Sequence, residues 1–563
     1  MALGTLSACL SKEIDSNAVV IPRDPTPIAL SHRELRRHVL SFQRKLAALG
    51  ISHKDAVAIS LPNSLEFVVA FLATALQRAI CAPLNPAYKQ EEFEFYLTDL
   101  KAAVVLVPKG AIEENGEAIR AARLCGTAVA EISWDWMEMT LPEIEMKSLA
   151  SRKPATVNAP EEQDTALILH TSGTTGRPKA VPLTHKNLCR TMVNIQNTYD
   201  LTSSDRTLLV MPLFHVHGLL AGFLAPLMSR GSVIVPARFS ASEFWRDFVD
   251  FKANWFTAVP TIHQILLKNA LPSPMPSIRF VRSCSSPLSP SVHQQLETAF
   301  KAPVIEAYAM TEAAHQMTSN PLPPAVRKSG SVGIPQGITL KIKDEAGNPL
   351  PRGTIGEVSV RGENLTPGYL GNAASPFTPA GFLRTGDQGY LDRDGYLFLT
   401  GRIKELINKG GEKISPIEID NIFIQHPKIQ DAVSFAIDDE LFGQDVAVAV
   451  VLQEGTQLSS TELLGWFSER VVKFKVPKKI FFTDKMPKTA TGKVQRRLVA
   501  QAMTGTAQPF NEKQSLPSKP QFLPLTSEID IAGEKEQVAV GKSPRGSMRQ
   551  RVAKLLSVGP KKA

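Results

Sequence analysis

The sequence predicts an α/β protein, and three observations support this. Between residues 25 and 340, short apolar strands alternate with helices whose apolar residues recur about every 3.6 positions, an order typical of parallel sheets. Between residues 340 and 400 the strands are short and the turns contain Gly, Asn and Asp, which favours a small, mostly antiparallel subdomain. Beyond residue 401 a separate, compact α+β pattern begins.

Local signals predict the individual elements. Helices are expected where a good capping residue or a first-turn proline precedes apolar residues at helical spacing. The predicted helices are Ser31–Leu49, Leu65–Ala79 after Asn63 or Ser64, Ser415–Gln425 and Glu462–Val472. Short apolar runs bounded by charges or turns predict the strands Asp55–Leu61, Ala102–Val107, Thr165–His170, Thr207–Met211, Ser232–Val235, Phe256–Val259, Ile278–Arg282, Val304–Tyr308, Leu340–Ile342, Gly356–Val360, Tyr396–Thr400, Ile429–Asp438 and Asp445–Gln453.

These patterns divide the chain into a large N-terminal domain, a small C-terminal domain and a tail. The expected bounds are 1–400 for the first domain, with α/β subdomains 25–160 and 160–340 and a β subdomain 340–400, then 401–404 for a hinge, 405–505 for the second domain and 506–563 for the tail. The tail is rich in Pro, Ser, Gln, Lys and Glu, a composition that predicts disorder.

Composition excludes several classes of protein. With 43% apolar and 21% charged residues in 563, the chain is neither a disordered polymer nor a collagen-like repeat. Its five cysteines are widely spaced and contain no C-x-x-C, which argues against a disulfide framework or a zinc site. The net charge is +9, and the tail alone holds ten Lys and Arg against five Asp and Glu. The net positive charge therefore comes mainly from the tail, and it does not indicate a nucleic-acid interface.

The segment between the predicted strand Thr165–His170 and Lys179 has the composition of a phosphate-binding loop. It reads Thr171-Ser172-Gly173-Thr174-Thr175-Gly176-Arg177-Pro178-Lys179. Glycines allow tight turns and a close backbone approach to a ligand, while hydroxyls, N–H groups and a lysine can surround phosphate oxygens. The spacing is not that of a Walker A loop, because Pro178 stands where Gly-Lys-Ser/Thr is needed.

Together with five further motifs, this loop resembles the adenylate-forming enzymes, a family that includes acyl-CoA synthetases. The resemblance spans roughly residues 25–503, and the motifs occur in the family's order. They are Pro212-Leu213-Phe214-His215, Tyr308-Ala309-Met310-Thr311-Glu312, Arg384-Thr385-Gly386-Asp387, Gly401-Arg402-Ile403-Lys404 and Pro487-Lys488-Thr489-Ala490-Thr491-Gly492-Lys493. Ala180 and Ala309 replace glycines of the family pattern, which narrows the site slightly and removes no charge.

The resemblance implies roles for particular residues. Those expected to bind ATP or AMP are Thr171, Ser172, Gly173, Thr174, Thr175, Gly176, Lys179, Tyr308, Ala309, Asp387 and Arg402. Those expected to be catalytic are Lys493, which would neutralise charge during adenylation, His215 at the acyl pocket, Thr311 at the α-phosphate and Glu312, which would also hold Mg²⁺. Lys404 stands at the family's hinge, and Lys409, Gly410 and Gly411 belong to a loop that lines the CoA thiol tunnel once the small domain has turned.

The acyl pocket points to a small polar acid. Segments that hold apolar residues in enzymes for long or aromatic acids here contain Ser285 and His315, which we expect to contact the substrate. Unpaired polar groups in a pocket are unfavourable, so a second carboxylate would suit them, and a protonated His315 would add an opposite charge. The pattern resembles oxalyl-CoA synthetases most and 4-coumarate–CoA ligase-like enzymes next.

The expected function is therefore an ATP-dependent acid–CoA ligase that uses Mg²⁺ and favours oxalate. Alternatives are a hydroxycinnamate or medium-chain acyl-CoA ligase, an adenylating enzyme that loads a separate carrier protein, and a luciferase-like oxidase. We expect partners to be a small carboxylic acid, ATP and CoA, with no nucleic acid and no stable membrane insertion. The expected location is cytoplasmic; the end Lys561-Lys562-Ala563 is not a Ser-Lys-Leu address, and a peroxisomal location stays open.

Overall fold

A computed structural model describes residues 4–23, 26–171, 178–371, 374–487 and 494–505. Three predictions lie outside the described residues: the roles of 172–176, the role of Lys493, and the disorder of the 506–563 tail.

The strands of the described chain are β1 Asn17–Ile21, β2 Ile28–Ser31, β3 Ala56–Ile59, β4 Ile80–Pro83, β5 Val104–Pro108, β6 Ala128–Trp134, β7 Met139–Thr140, β8 Ile144–Glu145, β9 Thr165–Thr171, β10 Lys179–Thr184, β11 Arg206–Leu209, β12 Ser232–Ile234, β13 Trp255–Ala258, β14 Phe280–Cys284, β15 Val304–Met310, β16 His315–Ser319, β17 Ile334–Pro335, β18 Thr339–Lys343, β19 Gly356–Arg361, β20 Leu383–Leu391, β21 Leu397–Arg402, β22 Ile407–Lys409, β23 Glu412–Ile414, β24 Ile429–Asp439, β25 Gly443–Leu452 and β26 Lys479–Phe482.

The α-helices are α1 His32–Ala48, α2 Leu65–Leu76, α3 Gln90–Leu100, α4 Ala111–Glu114, α5 Glu117–Cys125, α6 His185–Tyr199, α7 Ala225–Met228, α8 Phe244–Asp250, α9 Pro260–Lys268, α10 Pro290–Phe300, α11 Pro416–Phe423, α12 Ser460–Ser468 and α13 Arg496–Thr504. A π-helix covers His217–Leu224. Short 3₁₀ turns cover Leu6–Cys9, Lys147–Leu149, Thr311–Ala313, Ile403–Glu405 and Lys473–Lys475.

The largest sheet holds most of the site. Its order is β17-β16-β15-β14-β13-β11-β12-β1-β2. The six strands from β15 to β1 run parallel, and β16, β17 and β2 are antiparallel additions at the two edges. The order places the first strand of the chain beside β12, more than 200 residues later, a pairing that local periodicity does not predict.

A second sheet has the order β10-β9-β4-β3-β5-β6-β7, with β8 also paired to β6. Its strands from β9 to β6 are parallel, as the alternating sequence pattern predicts. Helix α2 packs beside it and is apolar on all sides, since every residue from Phe67 to Leu76 is buried. It begins at Ser64, whose side chain accepts the Phe67 N–H at 3.2 Å.

Two smaller sheets follow along the chain. The β18-β19-β20-β21 sheet is antiparallel, which matches the predicted character of residues 340–400. The last sheet joins β23, β22, β25, β24 and β26, with helices α11 and α12 packed through Ile419, Phe423 and Phe467. The α/β class and the division into large and small sheet systems are as predicted. No helix within the described ranges is both long and apolar enough to cross a membrane.

Candidate active site

The candidate residues collect at one edge of the nine-stranded sheet. Strands β13, β14 and β15 are parallel, so their carboxyl ends lie side by side, the usual place for ligands in α/β sheets. Thr257 lies near the end of β13, Arg282 is the central residue of β14, and Glu312 lies just beyond the end of β15. Two groups of contacts form there, one suited to a nucleotide and one to an acid.

The first group joins Tyr308, Asp387 and Arg402. The Tyr308 hydroxyl donates to Oδ2 of Asp387, and Nε of Arg402 lies 3.2 Å from Oδ1 of the same carboxylate. Asp387 and Arg402 are opposite each other in the β20–β21 ladder, which explains why two distant motifs meet. Burial raises the pKa of Asp387, and the Arg402 guanidinium opposes that rise. A carboxylate held in this way can accept hydrogen bonds from ribose hydroxyls.

A chain of contacts links Glu312 to Lys179. The Tyr369 hydroxyl donates to Oε1 of Glu312 at 2.8 Å, and Nζ of Lys179 lies 4.6 Å from the centre of the Tyr369 ring. Burial and the neighbouring Glu312 carboxylate raise the pKa of Tyr369, which keeps its hydroxyl protonated as a donor. Lys179 begins β10 and pairs with Thr171 at the end of β9 in an antiparallel ladder.

The donors present suit ATP with Mg²⁺. Magnesium takes one or two carboxylates together with substrate phosphates, and Glu312 supplies one carboxylate that is only 7% exposed. The described part of the chain contains no cluster of three or more His, Cys, Asp or Glu placed to hold a metal by protein ligands alone. Lys179 adds a positive charge on the same side. Thr311 precedes Glu312 in a 3₁₀ turn that follows β15 directly.

The second group surrounds a completely buried arginine. The Arg282 guanidinium donates to the Tyr199 hydroxyl at 2.8 Å, to Thr257 Oγ1 at 3.0 Å and to Gln316 Oε1 at 3.2 Å. Its Nη2 also lies 3.1 Å from Nε2 of His315. All of these partners are neutral, and no described carboxylate lies within ion-pair distance of Arg282. A buried cation without a counter-ion is costly, by several kcal/mol on a rough scale.

Two stacked imidazoles cover this guanidinium. The rings of His217 and His315 are 5.2 Å apart at an angle of 23°. Nε2 of His315 and Nε2 of His217 both face Arg282 N–H groups, so they act as acceptors and the imidazoles are neutral with the proton on Nδ1. Nδ1 of His217 lies 3.1 Å from Ser285 Oγ and donates to it, which leaves the Ser285 hydroxyl proton for a ligand.

This geometry changes one expectation from the sequence. We expected a protonated His315 to supply the positive charge for a substrate carboxylate. A proton on Nε2 of His315 would point at the Arg282 guanidinium, so the neutral form is favoured and Arg282 carries the charge. His315 and Ser285 lie in one cluster as expected, and both have left-handed backbone, with φ of 100° and 76°. Strained backbone of this kind is concentrated at functional sites.

His215 lies beside the Arg282 cluster, just before the buried π-helix begins. Its Nδ1 is 3.4 Å from the backbone N–H of His217, and its own carbonyl accepts the Leu219 N–H. The loop that carries it is held by Asn63, whose side chain donates to Met211 O at 3.2 Å and accepts the Leu213 N–H at 2.8 Å. Asn63 therefore positions this loop, and Ser64 caps the helix.

The residues expected to line the CoA tunnel lie elsewhere. Lys404 is exposed in the Ile403–Glu405 turn. Lys409 is held by Asp445 at 2.5 Å, and Gly410 and Gly411 form the left-handed turn between β22 and β23. Among the described residues, no hydrogen bond or ion pair joins Lys409, Gly410 or Gly411 to the Glu312 or Arg282 groups.

Comparisons with known proteins agree with this geometry. The family model for the AMP-binding enzyme matches residues 10–370, and that for the AMP-binding enzyme C-terminal domain matches residues 418–493. The chain belongs to the AMP-binding enzyme family. This AMP-binding enzyme is 47% identical to an oxalate–CoA ligase of Saccharomyces cerevisiae over 515 residues, which cover 86% of this chain and 94% of that protein.

Two further relatives are informative. An oxalate–CoA ligase of Arabidopsis thaliana is 46% identical over 469 residues, 81% of this chain and 90% of that one. The crystal structure of ATP-bound MatB from Rhodopseudomonas palustris superposes with a TM-score of 0.81 at 28% identity, covering 90% of this AMP-binding enzyme and all of MatB. The fold is therefore that of a family whose members bind ATP.

Several contact residues were not predicted from the sequence. Tyr369, Gln316, Tyr199 and Asn63 lie in no recognised motif, and we predicted Arg282 only as the last residue of a strand. The available signal was a charge inside an apolar strand, Phe280-Val281-Arg282-Ser283-Cys284. An arginine at a buried strand position requires polar partners, and this requirement could have marked it.

Proposed function

We propose that this AMP-binding enzyme activates oxalate with ATP and transfers the oxalyl group to CoA. The chemistry is that of an acid–thiol ligase with Mg²⁺, in line with the two oxalate–CoA ligases it resembles. One observation carries the choice of acid: the Arg282 guanidinium is fully buried beside Ser285 and His315 with only neutral partners.

Oxalate offers the counter-charge that this cluster lacks. One of its carboxylates reacts while the other stays ionised. A charge-assisted hydrogen bond from Ser285 and the electrostatic attraction of the Arg282 guanidinium, whose own N–H groups are already used within the cluster, would both favour that second carboxylate. A monoanionic acid of the same size leaves the guanidinium without a counter-ion. A hydroxycinnamate carries no second carboxylate, so it would also leave the guanidinium without a counter-ion.

The reaction has two steps in this proposal. A carboxylate oxygen of oxalate attacks the α-phosphorus of ATP, and the bond to pyrophosphate breaks. The CoA sulfur, after losing its proton, then attacks the oxalyl carbon, and AMP leaves with the electrons of the C–O bond. Asp387 and Arg402 would hold the ribose, Thr171, Lys179 and Thr311 the phosphates, Glu312 the magnesium, and Lys493 the charge that develops during the first step.

We further propose that the small domain, 405–505, turns about 401–404 between the two steps. The Lys493 loop would serve adenylation, and Lys409, Gly410 and Gly411 would serve thioester formation. The bounds 1–400, 405–505 and 506–563 belong to this proposal. A cytoplasmic location is also proposed, and imaging of a fluorescent fusion would test it.

The decisive experiment compares acids that differ in charge and hardly in size. ATP–pyrophosphate exchange is measured with oxalate, oxamate, acetate, a hydroxycinnamate and a medium-chain acid, and the CoA products are then identified. Oxamate keeps one carboxylate and replaces the other by a neutral amide. We expect kcat/KM for oxalate to exceed that for oxamate by about 10- to 100-fold, the scale of a hydrogen bond to a charged group.

Two results would reject the oxalate assignment: equal use of oxalate and oxamate, or better use of a hydroxycinnamate or medium-chain acid. Arg282→Gln gives an independent check, with Arg282→Lys as the charge-conserving control. The neutral variant should lose preference for oxalate over oxamate, and the lysine variant should keep part of it. Because the ratio is taken within each variant, partial misfolding does not affect it.

A further inference from the structure

An arginine at the start of the last described helix joins separate segments of the small domain. Arg496 is the first residue of α13, and its side chain is only 16% exposed. Its Nη2 lies 2.9 Å from Oδ2 of Asp420 in helix α11, and its Nε lies 3.5 Å from Oε2 of Glu405. Nη1 donates to the carbonyl of Ser434 in strand β24. One guanidinium therefore contacts two carboxylates and a backbone carbonyl from three segments.

The Asp420 carboxylate is itself held in place. Its Oδ1 accepts the Ser434 N–H at 2.5 Å, so helix α11 and strand β24 meet at this group. Burial raises the pKa of Asp420, and the Arg496 guanidinium opposes that rise. Removal of the guanidinium would leave a buried carboxylate without its counter-ion, so the two side chains hold each other in position.

Glu405 connects this cluster to the proposed hinge. It is the last residue of the Ile403–Glu405 turn and directly follows the hinge residues 401–404. The residue before that turn is Arg402, whose Nε lies 3.2 Å from Oδ1 of Asp387 in the nucleotide group. One short turn therefore has the nucleotide group at its beginning and the Arg496 contact at its end.

The chain just before Arg496 carries the lysine that we assign to adenylation. Lys493 lies outside the described residues, and the chain is described again from Val494 onward. Val494 and Val499 pack against the apolar face that β24 and β25 present to α13. Arg496 lies between these two valines and makes the polar contacts of the segment. Its contacts therefore fix the chain three residues beyond Lys493.

We propose that Arg496 is a positioning residue for Lys493, an inference that rests on the proposed function. Because it ties the start of α13 to Glu405 and Asp420, the segment after Lys493 moves together with the hinge turn. A catalytic group must be held by neighbours that are themselves fixed, and Arg496 supplies this support for adenylation. Thioester formation, which we assign to the turn at 409–411, does not depend on it.

The test measures the two half-reactions separately. Pyrophosphate exchange with the acid that wild type activates best reports adenylation, and CoA capture of the pre-formed adenylate reports the second step. We expect Arg496→Gln to lower exchange about 10- to 100-fold, the scale of misplacing a catalytic group, and to leave capture within about twofold. Arg496→Lys keeps the charge and should restore part of the exchange. Equal losses in both half-reactions would overturn the proposal, because a packing defect affects both.

A double variant tests the link to Lys493. In the Lys493→Ala background, Arg496→Gln should cause little further loss of exchange, because the group that it positions is already absent. Losses that multiply would overturn the proposal. Normal exchange in Lys493→Ala alone would reject the role of Lys493 in the proposed function and this inference with it. A wild type that prefers another acid to oxalate would reject only the oxalate assignment, because each comparison uses the preferred acid.

Two further variants control for folding. Arg497→Gln removes the neighbouring arginine of α13, which is exposed, and should leave both half-reactions unchanged. Glu405→Gln removes the partner at the hinge, whose side chain is 38% exposed, so the fold should tolerate this change. It should lower exchange less than Arg496→Gln does and leave capture unchanged. If Arg496→Gln does not fold, this variant decides, and normal exchange in folded Glu405→Gln protein would overturn the proposal.

Discussion

At the scale of single residues, His315 and Arg282 act as one unit. Nε2 of His315 accepts from Arg282 at 3.1 Å, and its ring stacks on His217. Removing the imidazole leaves a guanidinium N–H unpaired and frees His217 to tilt. Loss of the His315 imidazole should therefore reduce most the activation of an acid whose binding depends on the orientation of Arg282.

We expect His315→Ala to lower kcat/KM for oxalate by about 1.5–3 kcal/mol. Acetate activation should fall much less, because acetate makes no contact with the cation. Steady-state kinetics with both acids measure this, and His53→Ala, which removes a histidine of the other sheet system, is the control. Equal losses for oxalate and acetate would assign His315 a packing role only.

Sequence motifs indicate candidate residues that are embedded in them and do not indicate those defined by burial. Ser285 and His315 were selected because polar side chains stood where apolar acids need apolar ones. The charge in the cluster was then assigned to His315, because a sequence does not reveal that its Nε2 faces a guanidinium. Arg282 gains its importance from the absence of a nearby carboxylate, which only the three-dimensional arrangement shows.

At the scale of elements, the first turn of the chain and helix α6 meet through His185. Nδ1 of His185 accepts the Leu6 N–H at 3.1 Å, and Nε2 donates to Ala75 O at 3.2 Å. Both ring nitrogens are thus used by the neutral form. Burial lowers the pKa of His185 from 6.5 to about 4, and the backbone hydrogen bond opposes that shift only in part.

This lowered pKa predicts a loss of stability in acid. The unfolded chain takes up the proton near pH 6.5, whereas the folded chain resists it until about pH 4, so the contribution is complete above pH 7 and falls as the pH drops. From this group alone the free energy of unfolding should be about 3 kcal/mol lower at pH 4 than at pH 7. Urea unfolding of wild type and His185→Gln at both values measures it; parallel pH curves would contradict the assignment.

The strands and helices that were predicted end within about four residues of those in the structure, because apolar spacing and caps are local properties, but half of the described strands and nine of the 13 described α-helices were not predicted. Strand β20 was missed although it carries Asp387, since Leu383–Leu391 alternates poorly and includes two glycines. The pairing of β1 with β12 was also missed. Which strands become neighbours depends on packing between distant segments, and no local pattern records it.

At the scale of the whole molecule, the two half-reactions should separate by mutation. Lys493 lies outside the described residues, so its role rests on its motif. Lys493→Ala should reduce oxalate-dependent pyrophosphate exchange by about 10²–10³-fold, as expected for loss of one electrostatic stabiliser. CoA capture of pre-formed oxalyl-AMP should be affected much less, and rapid mixing with that adenylate measures it. Equal losses in both assays would argue against two conformations.

The α/β class, the antiparallel insertion and the small last sheet were all predicted, and the structure confirms them. The position of the small domain during thioester formation could not be predicted, because the contacts that decide it form in a second arrangement. The ion pair of Lys409 with Asp445 illustrates this point. It neutralises the lysine within its own sheet, and a contact of Lys409 with CoA would form only after the proposed rotation.

The buried guanidinium also bears on how stable the protein is without substrate. Folding alone would favour an apolar side chain of similar volume at position 282, since a cation among neutral groups weakens the native state. Arg282 therefore lowers the stability of the ligand-free protein, and a bound counter-ion would offset that cost. Oxalate should consequently act as a structural ligand, raising the melting temperature more than a monoanion does at equal concentration, because it binds more tightly.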